Sequence, residues 1–229
     1  MNVKMKAWRL KGILIHIGEY LRPSIIDTKR PEEYEIKHAM FDDEGKVAPR
    51  GDVHVDPKFT PSFTYGDHPW KPSKANLGKL EIGDYIFFNC TFLEKTAGER
   101  ARYIVGYFGL KEILLIDDIV KRHLTNRMPY CDNEHVQHLR DWGSFGTLFV
   151  GNLKKSKKLR KPIRLDRKLV NNLDLKDAQG NSIAERFDKK KDRSGRIMSE
   201  MQIISSYTRN PKILNERQVN TLLEMARKR

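Results

Sequence analysis

Four side chains that could do chemistry lie within one short stretch: His54, Asp56, Asp67 and His68, all inside HVDPKFTPSFTYGDHPW, residues 54–70. Histidine and aspartate move protons near neutral pH, and both ligate metals. Two readings stand side by side. The quartet is a hydrolytic or metal-binding set, or it is framework, since Asp56-Pro57 and Gly66-Asp67 are ordinary turn chemistry in which an Asp side chain bonds nearby backbone. The same seventeen residues carry Phe59, Phe63, Tyr65 and Trp70 among three prolines, with no regular period. Prolines and Gly-Asp predict a loop. Four rings in that loop predict more than a solvated connector. Phe59 and Phe63 read best as pegs in the core beneath it, and Trp70 equally as peg or as stacking surface.

Other chemistry is thin. His135 and His138 sit three apart in NEHVQHLRDW, but no third ligand is in sight, so no metal is expected. Neither a GxxxxGK[ST] loop nor a GxGxxG after a strand occurs, and no cofactor is predicted. Cys90 and Cys131 lie far apart without a CxxC partner. That spacing predicts a reduced, cytoplasmic setting and no structural zinc. No apolar run is long enough to span a membrane, and the start of the chain lacks the apolar core and cleavage site of a signal peptide. Oligomeric state is left open.

Charge is distributed unevenly. Residues 1–150 hold 22 Lys and Arg against 21 Asp and Glu, and residues 151–229 hold 22 against 9. Nearly all of the net charge of +14 therefore sits in the last third, while 19 of 21 aromatic residues precede it. A basic excess of this kind predicts a polyanionic partner, most simply nucleic acid, DNA or RNA. Its densest part is KKSKKLRK, where Lys154, Lys155, Lys157, Lys158, Arg160 and Lys161 are candidate phosphate contacts. The plain alternative is a solubilising surface.

The elements that must position these groups follow from periodicity. WRLKGILIHI predicts a first strand, and YIFFNCTFL and ARYIVGYFGLKEILLI a hairpin interrupted near Gly106 and Gly109. DDIVKRHLTNR and NEHVQHLRDW predict helices, the second capped by Asn133. SFGTLFVGNL predicts another strand. Tyr85, Phe87, Phe88 and Phe92 are expected in the core. Residues 174–197 are polar enough to predict a mobile stretch. From about Ser199 the chain reads as helix, broken at Asn210-Pro211 and resumed through Val219, Leu222, Leu223 and Ala226. Short strands joined by turns predict an α+β fold with a curved, mostly antiparallel sheet, flanking helices and a basic helical C-terminal extension. The expected division is residues 1–165 as the α+β domain and 166–229 as a basic, partly flexible extension.

LEIGDYIFFNCTFL followed by RYIVGYFGLKEILL resembles the core hairpin of PUA-like domains, the superfamily that includes the EVE, YTH and ASCH families. More narrowly, HVDPKF, FTYGDHP and GDYIFF together resemble the nucleotide-modification-associated domain families of bacteria, archaea and phages, of the third type. The resemblance covers residues 8–165. It implies a PUA-like barrel or sheet that binds nucleic acid and takes a modified or flipped base into an aromatic-walled pocket. Carried over by position, Tyr65, Asp67, Trp70 and Asn89 would form that pocket, with Phe63 at its rim and His54, Asp56 and His68 as readers or framework. A base out of its stack costs a few kcal/mol, which rings offset at about 1–3 kcal/mol per stacked base. Some ASCH relatives are hydrolytic, so the alternative is an enzyme acting on nucleotides or nucleic acid through His54, Asp56, Asp67 and His68.

Overall fold

The structure, a computed structural model, describes residues 10–17, 24–36, 39–41, 52–69, 71–122, 130, 132–137, 146–177 and 179–229. Its centre is the hairpin of β7 (Tyr85–Glu94) and β8 (Arg100–Leu115). β1 (Gly12–His16) and β2 (Ser24–Ile26) lie parallel to β7, and β3 (Tyr34–Glu35) returns antiparallel to β2. β4 (Ala39–Phe41) and β5 (Asp52–His54) form a separate antiparallel pair. β6 (Thr64–Asp67) pairs with β9 (Thr147–Gly151), which pairs with the second half of β8. β10 (Lys157–Arg164) takes the first half of β8, and β11 (Lys212–Leu214) closes onto β1. The result is a curled α+β sheet that is mixed rather than purely antiparallel.

Helices cover one face of this sheet. α1 (Ile116–Arg122) and α2 (Glu134–Gln137) precede β9, while α3 (Arg167–Leu173), α4 (Glu200–Thr208) and α5 (Glu216–Arg227) follow β10. Alternation sorts the strand residues between two cores. Ile13, Ile15, Ile86, Phe88, Cys90 and Phe92 pack with the 55–69 loop. Leu14 and Phe87 pack instead with Val170, Ile203, Val219 and Leu222 of α3, α4 and α5. Burial on both faces explains why β7 reads as nearly continuous apolar sequence. The C-terminal helices begin on their own caps: Asp166 accepts Leu169 N–H at 2.8 Å, and Ser199–Gln202 and Asn215–Gln218 form reciprocal capping boxes.

Two local expectations are corrected. β8 is not interrupted near its glycines but runs through Gly106, with register shifts opposite Phe88/Asn89 and at Leu110/Glu112. Gly106 is there because a Cβ would stand 2.2 Å from Phe59 Cε1 and 2.7 Å from the Lys157 carbonyl oxygen. The described residues of 174–197 are folded, held by the Lys176–Ser182 and Lys191–Ile197 bridges and by buried Ile183 and Phe187. Their polarity is used in turns, where Asp177 and Asp192 accept N–H groups of the residues that follow them.

Candidate functional site

The 55–69 loop closes the curled sheet with its rings. Phe59 meets Phe88 and Phe108 edge-on at 5.7 and 5.5 Å, and Phe63 meets Phe108 at 5.6 Å. Tyr65 lies against Phe88 and Phe149. The prolines and rings are thus a plug, pinned by the mutual backbone bonds of Lys58 and Thr64. The polar residues of the same loop are gathered at the plug's other side.

Asp56 is buried to 8 % exposure and fully engaged. Its carboxylate accepts Gly66 N–H at 2.9 Å and Asn133 Nδ2 at 3.2 Å, and His135 Nε2 stands 3.4 Å away. Burial pushes the Asp56 carboxyl up, and His135 and the Gly66 N–H pull it back. Gly66 lies within β6, not in a turn as its pairing with Asp67 suggested. A Cβ there would stand 2.3 Å from His135 Cδ2, so the imidazole rests directly on the strand backbone. Asn133 caps α2 as expected, through His135 N–H to its Oδ1 at 3.0 Å, and also reaches Thr64 Oγ1 at 3.1 Å.

A second carboxylate adjoins this one. Asp67 accepts the Tyr65 hydroxyl, Lys74 Nζ at 2.8 Å and His68 N–H at 2.7 Å. Burial pushes its carboxyl up, but Lys74, Tyr65 and the His68 N–H outweigh that and hold it below the usual range. Lys74 arrives on the short 3-10 helix Pro72–Lys79, started by Pro72. The His68 ring stands edge-on to His135 with centroids 5.7 Å apart. Among the described residues, no group of three or more His, Cys, Asp or Glu is placed to hold a metal ion. The arrangement can exchange protons through His135 and His68 and can present the partly exposed Lys74 ammonium to an anionic ligand.

Of the residues singled out in the sequence, Asp56, Asp67, His68 and Tyr65 converge here. Asn89 does not. Its neighbours Phe88 and Cys90 enter the loop-side core, whereas Asn89 turns to the helix side. There its Oδ1 accepts Arg102 Nη1 at 3.0 Å, and Arg102 Nε donates to Ser205 Oγ of α4 at 3.1 Å. Asn89 Nδ2 donates to the Ile15 carbonyl at 2.7 Å, so its amide knits β1 to β7. Tyr65 is 5 % exposed, a core ring with its hydroxyl at the cluster's edge. Trp70, His138, Cys131 and the His54 side chain lie outside the described residues. Sequence reading passed over Lys74 and placed His135 in a pair with His138. The signals available were only a lysine behind Pro72 and a histidine just past a helix cap.

The basic run lies along an edge. Lys154 and Lys155 are exposed in the turn after β9, and Lys158 and Arg160 on β10. Lys157 turns inward to the Ala226 carbonyl at 3.4 Å, Lys161 faces Glu32 at 3.8 Å, and Lys158 Nζ lies 5.5 Å from the Tyr34 ring centroid.

A model of the nucleotide modification associated domain 3 family matches residues 27–217. The chain belongs to this family. The matched span of this nucleotide modification associated domain takes in β3 through the start of α5, and so reaches well past residue 165 into the basic last third. Both the 55–69 loop with its polar cluster and the basic strand fall within it. No curated protein and no solved structure matches the chain. The family's name associates it with nucleotide modification, and no helix among the described residues is long and apolar enough to cross a membrane.

Proposed function

We propose that this chain binds nucleic acid, DNA or RNA, in the service of nucleotide modification, gripping phosphates along β10 and presenting a nucleotide to the cluster around Asp67. The observation that carries this is the state of the basic run. Lys154, Lys155, Lys158 and Arg160 are exposed, and among the described residues none of them is in an ion pair. Cations without an ion-pair partner along an edge strand and the turn before it suit a row of phosphates. The run also adjoins the loop, because Phe59 and the Lys157 carbonyl meet over Gly106. The resemblance of the β7–β8 hairpin sequence to PUA-like domains suggests a modified or flipped base as the feature read, with Tyr65 and Asp67 as its polar contacts.

The test is a titration of modified and unmodified oligonucleotides at several salt concentrations. Replacing Lys154, Lys155, Lys158 and Arg160 by Ala should weaken binding to all sequences alike. The slope of log affinity against log salt should fall by about 0.7–0.9 for each phosphate no longer neutralised by a side chain. Asp67→Asn should change base preference more than affinity, because an acceptor becomes a mixed donor and acceptor. Absence of binding at low salt would remove the proposal.

One observation favours a second reading. A buried carboxylate beside a histidine, Asp56 with His135 at 3.4 Å, is how a general base is oriented and its imidazolium stabilised. In that case His135, with His68 and Asp67, acts on a nucleotide. His135→Asn and His68→Asn would then abolish product formation, followed by mass spectrometry of the oligonucleotide, while binding survived. Unchanged mass with wild-type protein would dismiss catalysis and leave the binding reading intact.

A further inference from the structure

A cavity of about 740 Å³ is lined by Pro72, Ser73, Ala75 and Asn76 of the 72–79 helix, but neither by Lys74 nor by any residue of the Asp56–His135 cluster. One wall is that helix, another is the Asp174–Asp177 turn, and the third is β11 with the start of α5. Its lining divides by chemistry. Leu10, Leu175, Pro72 and Pro211 make an apolar surface, and three lysines, Lys11, Lys176 and Lys212, line it too. Asn76 Nδ2 donates to the Pro211 carbonyl at 2.9 Å and ties two walls together.

The carboxylates of this cavity are mostly taken. Asp174 faces Lys176 at 3.5 Å, and Asp177 accepts Gln179 N–H and Asn181 N–H, both at 2.9 Å, with Arg186 Nη2 at 3.4 Å. Glu216 is exposed at the rim. Lys11 and Lys212 are half-buried, and among the described residues neither ammonium has a hydrogen bond or ion pair. Burial lowers the pKa of Lys212, and Asp177 only partly opposes it. Two partly dehydrated cations beside an apolar wall, in a space of small-molecule size, specify a ligand with an anionic end and a flat apolar body.

We propose that this cavity binds a free nucleotide, its phosphates on Lys11 and Lys212 and its base against the Pro72, Leu175 and Pro211 wall. The site shares no residue with the Asp56–His135 cluster or with β10, so it does not rest on the oligonucleotide reading. It gives the protein a second, mononucleotide-sized binding place that shares the 72–79 helix with Lys74.

The test is calorimetric titration of the full chain with ATP and, separately, with inorganic phosphate. ATP should bind saturably at one site, at least tenfold tighter than phosphate. Lys11→Ala and Lys212→Ala should each weaken ATP about tenfold or more, the scale of removing a charge-assisted bond. Ala75→Trp, at an exposed wall position, should block ATP without disturbing the core. Lys154→Ala with Lys155→Ala should leave ATP affinity unchanged while weakening oligonucleotides. Three results would overturn the proposal: no saturable ATP binding, equal affinity for phosphate, or wild-type ATP affinity in the Ala75→Trp chain together with both folded lysine variants.

Discussion

A buried carboxylate survives only when donors surround it, and Asn133 supplies one of those around Asp56. Asn133→Ala removes that donor and also the one to Thr64. It should cost about 1–3 kcal/mol, the scale for stranding buried polar groups, seen as a lower urea midpoint with unchanged slope. His16 carries a second prediction. Burial, and then the Arg102 guanidinium, lower its pKa from 6.5 to about 3. The folded state therefore keeps the ring neutral where the unfolded chain takes up a proton. Stability is complete above pH 6.5 and falls as the pH drops toward 3. Between pH 7 and 5 this amounts to about 2 kcal/mol, and His16→Gln should flatten that part of the profile in urea titrations. Asp67, held low, adds its loss only at more acid pH. Little of this was legible beforehand. Asp56, Asp67 and His68 stand out by type and proximity, but a pair such as Asp56–His135 joins positions with no local pattern between them.

At the scale of elements, the hairpin was legible and its neighbours were not. β7 and β8 are adjacent apolar runs around a turn, and adjacency is the signal. The parallel seating of β1 on β7, Gly12 opposite Tyr85, leaves no trace in either segment. The interruption expected in β8 failed for a physical reason. Gly106 serves close approach, since Phe59 and β10 occupy the space a side chain would need. Gly106→Ala should therefore destabilise by about 1–3 kcal/mol through overpacking, and Phe59→Ala in the same chain should relieve only part of that cost, because the Lys157 carbonyl stays in place. A double-mutant cycle by urea denaturation measures this. The basic run was legible as charge but not as a strand: Leu159 is the one residue of the run in the helix-side core, with Ile163 just beyond it.

For the whole molecule, the last third carries most of the net charge and yet supplies most of the helix-side core. Val170, Ile203, Val219 and Leu222 bury Leu14, Phe87 and Ile104, while the lysines and arginines of the same helices remain outside. A chain cut after residue 165 would expose that apolar face of the sheet and lose β11 as well. It should be recovered as aggregate or bind a hydrophobic dye, and co-expression of residues 166–229 should improve its recovery. A soluble, cooperatively melting 1–165 fragment would contradict this. The amphipathic helices were readable from their spacing; their seating on the sheet was not, because charge-rich composition predicts a surface extension equally well.

The pairing of Gly12 with Leu214 has a consequence for how the chain is made. A ribosome delivers the antiparallel partner of β1 some two hundred residues after β1 itself. At roughly 5–20 residues per second, that edge waits about ten seconds or more for its neighbour. Throughout that interval the backbone amides and carbonyls of Gly12, Ile13 and Leu14 offer a template to any passing strand. The nascent protein is most exposed to mispairing at the place where the finished one is stitched shut.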